Sequence, residues 1–140
     1  MMTKLITAGG SALLMAASVF ADSVWTGAAH DGEWSNIDNW SDGVPKGGEK
    51  AILNGGTAWA NVGDVVCSEI DLGGGVLHVS VDAGLVADFS VEVSGAGTFA
   101  KSGEGTLRMV CSLFTGSQSL CVDDGTFDLN GTTQSFISVT

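Results

Sequence analysis

The chain has 140 residues, with 16 acidic against five basic side chains and a formal net charge of -11. That balance excludes a nucleic-acid partner, since phosphate contact needs clustered Lys and Arg, and it opposes adhesion to anionic lipid. With 21 Gly, a single Pro and 44% apolar residues, the composition also excludes disorder and fits one domain of short strands joined by tight turns.

Residues 1–21, MMTKLITAGGSALLMAASVFA, place a positive charge at Lys4 ahead of an apolar run from Leu13 to Phe20. Small residues at Val19 and Ala21 suit a signal peptidase, so a signal peptide over 1–21 with cleavage before Asp22 is predicted. The run falls short of the ~20 apolar residues that a membrane span requires, and no later segment supplies them. The expected location is therefore the cell surface or the extracellular space, with no membrane insertion by this segment.

Residues 22–50 hold Trp25, Trp34 and Trp40 among Gly, Asn, Asp and Ser. Two readings compete. The rings can cover the open end of a stacked β structure, which otherwise exposes its core and strand edges. Alternatively they form a glycan platform, with Asn36, Asp38, Asn39 and Asp42 bonding sugar hydroxyls. The first is preferred. Within this segment DNWSDGVPKGGE, residues 38–49, places acidic residues at positions 1, 5 and 12 of a calcium loop and Gly at position 6. Lys46 at position 9 opposes a cation, so no metal is expected. Trp59, in TAWANV, is expected to pack within the next strand.

Residues 51–140 read as strands. From Leu77 to Val93 apolar residues hold the odd positions and polar ones the even, with Val86 the clear exception. This is the period of a strand with one buried face. Asp82-Ala83-Gly84 divides the run into two strands. The same parity returns at Leu107, Met109, Cys111 and Leu113, at Phe127 and Leu129, and at Ile137 and Val139. No convincing helical period follows the signal peptide.

Repetition then selects the architecture. Gly75-Val76-Leu77, Gly105-Thr106-Leu107 and Gly125-Thr126-Phe127 each open a Gly-x-apolar-x-apolar frame, and Leu53-Asn54-Gly55 is echoed by Leu129-Asn130-Gly131. Such spacing fits coils of a β-solenoid in which Gly75, Gly97, Gly105 and Gly125 turn corners at positive φ. An antiparallel β-sandwich is the alternative, because alternation alone does not separate the two.

The stretch GAGTFAKSGEGTLRM, residues 95–109, resembles the passenger-associated β-strand repeat of bacterial autotransporters. Gly95, Gly97, Phe99, Lys101, Gly103, Gly105, Thr106, Leu107 and Met109 occupy the positions of that pattern, and Phe114-Thr115-Gly116 and Gly125-Thr126-Phe127 stand where its later elements follow. Upstream, Trp25-Thr26-Gly27, Gly32-x-Trp34, Asn39-Trp40 and Gly43-Val44-Pro45 resemble the opening segment of large exported bacterial surface proteins. The resemblance implies a right-handed parallel β-helix on the cell surface, acting as an adhesin-like display scaffold. A passenger of this kind ends in a membrane β-barrel, whose strands this sequence does not supply. Residues 51–140 are accordingly expected to be coils truncated at the C-terminus.

Catalytic constellations are thin. His78 alternates outward, His30-Asp31-Gly32 reads as a turn, and Asp82, Asp88 and Glu92 share an outward face with Lys101 and Arg108 as the nearby bases. A polysaccharide-acting β-helix enzyme is thus a third reading, behind the scaffold and the glycan-binding module; no catalytic residue and no cofactor are assigned. Partners are expected to be a host or environmental surface or glycan. The oligomeric state is left open. Cys67, Cys111 and Cys121 enter an oxidising space on export, and Cys111–Cys121 would close a short loop. Parity points Cys111 inward, and two buried thiols are an equal alternative to the disulfide.

Overall fold

A computed structural model describes residues 21–140, so the predicted signal peptide over 1–21 lies outside it except for Ala21. The described chain is all-β, about four coils of a parallel β-solenoid. Its strands lie on three faces. The first face orders β1 (Ser23–Val24), β2 (Lys50–Ile52), β4 (Glu69–Asp71) and β7 (Glu92–Ser94). The second orders β3 (Thr57–Asn61), β5 (Val76–Ser80), β8 (Gly97–Ser102), β10 (Gln118–Val122) and β12 (Ser138–Val139). The third holds β6 (Val86–Phe89), β9 (Thr106–Met109) and β11 (Thr126–Asp128).

Every strand-to-strand pairing among the described residues is parallel, and each face gains its strands in chain order. That arrangement removes the sandwich alternative, whose hairpins pair antiparallel. The one antiparallel contact among the described residues is an isolated bridge from Trp25 to Trp40.

Register explains the core. On the second face Ala58, Leu77, Phe99, Leu120 and Val139 lie opposite one another in turn. On the first, Ala51, Ile70 and Val93 do so. Each row stacks like on like at the ~4.8 Å strand spacing, so period-2 alternation becomes a continuous apolar interior. A chain of phenylalanines crosses it, with ring centroids 5.4 Å apart for Phe89–Phe99, 5.1 Å for Phe99–Phe114 and 4.7 Å for Phe114–Phe136. Tilted and edge-on aromatic pairs of this kind add about 0.5–1.5 kcal/mol each beyond area burial.

The corner glycines are required for a reason other than the one expected at two of four positions. Gly97 and Gly125 do have positive φ, 143° and 71°, whereas Gly75 and Gly105 do not. What all four share is backbone approach. A Cβ on Gly75 would run into the Gly56 carbonyl, one on Gly97 would lie 2.5 Å from the Gly75 carbonyl, and one on Gly125 would strike the Gly105 carbonyl. Gly56, Gly75 and Gly97 therefore form one column, and Gly105 and Gly125 another. The 30-residue interval from Gly75 to Gly105 joins two different corners. The Leu-Asn-Gly echo also has a local cause: Asn54 and Asn130 take φ of 51° and 50°, each followed by a positive-φ Gly.

Several side chains depart from the expected parity, among them Leu85, Cys111 and Lys101. Leu85 is 56% exposed because it ends a corner turn, its N–H donating to the Asp82 carbonyl at 3.1 Å. Cys111 lies past the end of β9 and is exposed, not inward. Lys101, expected outward, is completely buried.

Candidate functional site

The tryptophan segment is packed as a cap. Trp25, Trp34 and Trp40 are 7%, 0% and 6% exposed. Trp40 sits edge-on to both neighbours, at centroid distances of 5.1 Å to Trp25 and 4.8 Å to Trp34, and its Nε1–H donates to the Trp34 carbonyl at 2.8 Å. Rings so enclosed offer no open face to a sugar, which corrects the platform reading at these three positions. The polar residues assigned to hydroxyl binding instead hold the cap together. Asn36 Oδ1 accepts from the Asp38 N–H and its Nδ2 donates to Asp31, while Asp38 itself stays exposed. Buried Asn39 accepts from the Ala29 N–H at 2.9 Å and donates to Asp31 at 2.6 Å and to the Glu33 carbonyl at 3.0 Å. The Glu33 N–H and the Asn36 and Asn39 amides together hold the Asp31 carboxyl below its ordinary pKa. Asn39→Ala strands the Ala29 N–H and is expected to lower unfolding free energy by about 2 kcal/mol in a urea titration, whereas an unchanged midpoint would deny this network a role in the cap.

Lys101 is the one buried cation among the described residues. Its Nζ donates to the carbonyls of Ser102 at 2.9 Å, Gly103 at 2.6 Å and Asp124 at 3.0 Å. Two of these belong to its own corner and the third to the corner of the next coil, so the ammonium fastens successive coils together. Burial lowers its pKa below the ordinary lysine value, and the nearby Asp124 opposes that shift. The signal was present in the sequence, because Lys101 shares parity with Phe99. The assumption that charge faces water hid it.

On the outer side of the second face, register aligns Trp59, His78, Ala100 and Cys121 in one row, and Asn61, Ser80 and Ser102 in the next. Trp59 is 49% exposed, contrary to its expected packing within the strand. The cause is parity: Ala58 and Ala60 take the inward positions on either side. The His78 ring stacks on the indole with centroids 3.5 Å apart and planes within 4°. Burial pulls the His78 pKa below its ordinary value, against the pull of Asp123, whose Oδ2 is 3.8 Å from Nδ1. On the third face Arg108 pairs with Asp88 at 2.7 Å, while Asp82 and Glu92 are exposed without forming an acid–base cluster with them.

The far end of the solenoid is apolar and open. Leu120, Val122, Phe127, Leu129, Gln134, Phe136 and Val139 surround a cavity of about 340 Å³. Ile137 and Val139, inward by parity, are 69% and 63% exposed there.

All three cysteines are free thiols. Cys111 points to solvent, Cys121 contacts Asp123 Oδ1 at 3.1 Å through its S–H, and burial raises the Cys67 thiol to about 11. The candidate pair Cys111–Cys121 is thus unbonded, with Cys121 on the outer side of β10 and Cys111 in the loop that precedes it. Among the described residues no group of three His, Cys, Asp or Glu side chains could hold a metal ion, and no helix is long and apolar enough to cross a membrane. Comparison with known proteins returns no matching family model, no matching curated protein and no matching solved structure.

Proposed function

We propose that this chain is a non-catalytic display scaffold, an exported β-solenoid segment of an adhesin-like or autotransporter-like surface protein. The observation that carries this reading is the ladder of parallel coils itself, covered at one end by the packed tryptophans. A rod built this way leaves its outer faces for contact with a host or environmental surface. The leader-like residues 1–21 support export.

Expression with the native N-terminus tests the reading. N-terminal sequencing is expected to find Asp22 first, and protease added to intact bacteria is expected to remove the protein. A product that retains Met1 and stays protected inside the cell would overturn it.

A further inference from the structure

Of the four tryptophans, Trp59 alone is exposed, and it borders a groove. The groove has a volume of about 130 Å³ and is lined by Glu33, Trp59, Asn61, Ser80 and Ser102 together with Ala60. Glu33 reaches it because its segment bridges β3 in parallel directly at Trp59, through Trp59 N–H to the Gly32 carbonyl and Trp34 N–H to the Trp59 carbonyl. Gly32 is fixed by the same contact, since a Cβ there would come within 3.1 Å of the Trp59 ring.

Two features separate this groove from ordinary solvated surface. First, its aromatic ring is held in place. The His78 stack fixes the indole while leaving half of it in water, so a ligand need not order a mobile side chain. Second, several unengaged polar groups converge on one place beside that ring, whereas some outward hydroxyls elsewhere are taken up by protein, as Ser94 donates to Glu69 at 2.6 Å and Ser138 to Ser119 at 2.9 Å. Among the described residues, the side chains of Glu33, Asn61, Ser80 and Ser102 have no protein partner. They stand beside the exposed ring as a carboxylate, an amide and two hydroxyls.

We propose that the Trp59 groove binds a neutral glycan. An indole offers its surface to the C–H face of a pyranose, and the amide, carboxylate and hydroxyls match vicinal sugar hydroxyls as donors and acceptors. Charge selects the class. Glu33 lies in the groove and the whole chain is acidic, so uronate and sialylated polymers are repelled. No Lys or Arg lines the groove to take a phosphate. This inference stands apart from the display reading, because it concerns one face of the folded chain and holds for a secreted or an anchored form.

Affinity electrophoresis of the full chain tests it, with soluble polymers of glucose, mannose, galactose and N-acetylglucosamine as probes and polygalacturonate as the charged probe. At least one neutral polymer is expected to retard the protein. Trp59→Ala is expected to raise the apparent Kd about tenfold, and Asn61→Ala to raise it several-fold. Thermal melts check that each variant stays folded, as an exposed ring and an exposed amide allow. Should Trp59→Ala fail to fold, Asn61→Ala carries the test by itself. Absence of retardation by every neutral polymer, retardation by the charged polymer alone, or retardation unchanged in folded Trp59→Ala and Asn61→Ala would each overturn the proposal.

Discussion

Replacing Lys101 by Met is expected to lower the unfolding free energy by about 3 kcal/mol, and the melting temperature by about 10 °C. The substitution keeps the length of the side chain and its apolar stem, so little cavity forms, and it removes only the ammonium. Two opposing effects follow. Burying a charge is unfavourable, as the lowered lysine pKa shows, so its removal by itself stabilises. Against this, three carbonyls lose their donor. The Ser102 carbonyl keeps the Val81 N–H at 3.1 Å, but those of Gly103 and Asp124 are left with no other donor among the hydrogen bonds described. A stranded acceptor costs about 1–3 kcal/mol when fully buried and less at part-buried carbonyls such as these, and the joint between successive coils is lost with it. The carbonyl effect wins by this estimate. Urea titration of Lys101→Met decides it: a midpoint equal to or above that of the wild type would mean that the ammonium is tolerated and not structural. Lys101→Ala adds a cavity and is expected to fall further.

Much of this solenoid was legible from period and repetition alone. Of the nine odd positions from Leu77 to Val93 that alternation marked as inward, Leu77, Val79, Val81, Phe89, Val91 and Val93 are buried, Ala87 is half-buried, and Ala83 and Leu85 at the corner are exposed. The Gly-Thr-Leu and Gly-Thr-Phe frames gave coil pairing on the third face, where Thr106 lies opposite Thr126. Sequence reasoning faltered where a residue type overrode its position. Trp59 was expected to pack within its strand, although Ala58 and Ala60 beside it already occupied the inward parity. Lys101 was assigned to solvent because it is charged, although Phe99 shared its parity. Cys111 continued the parity of Met109 only as far as the strand did, and β9 ends at Met109. The Trp59 groove was illegible for a different reason. It is assembled from Gly32-Glu33, β3, β5 and β8, and only the coil register brings Glu33 beside Trp59 and Ser102 beside Ser80.

Gly125→Ala is expected to be among the most damaging single-methyl changes at the described residues, destabilising the fold by about 4 kcal/mol. Part of this is conformational: Gly125 has φ of 71°, and an L side chain there costs about 1–2 kcal/mol. The larger part is steric. The new Cβ would strike the Gly105 carbonyl, lie 2.5 Å from the Gly103 carbonyl and lie 2.6 Å from Lys101 Nζ, so the corner must open and loosen the lysine joint with it. Gly84→Ala separates the two contributions. Gly84 has φ of 80° in a neighbouring corner, yet a Cβ there meets nothing within 4 Å, so only the conformational cost applies. Denaturation of both variants should therefore give losses of about 4 and about 1–2 kcal/mol. Equal losses would show that backbone conformation alone demands glycine at the corner. A larger loss at Gly125 ties the recurring glycine to the close stacking of one coil's backbone on the next, as at Gly75 and Gly105, where φ is ordinary and glycine is needed all the same.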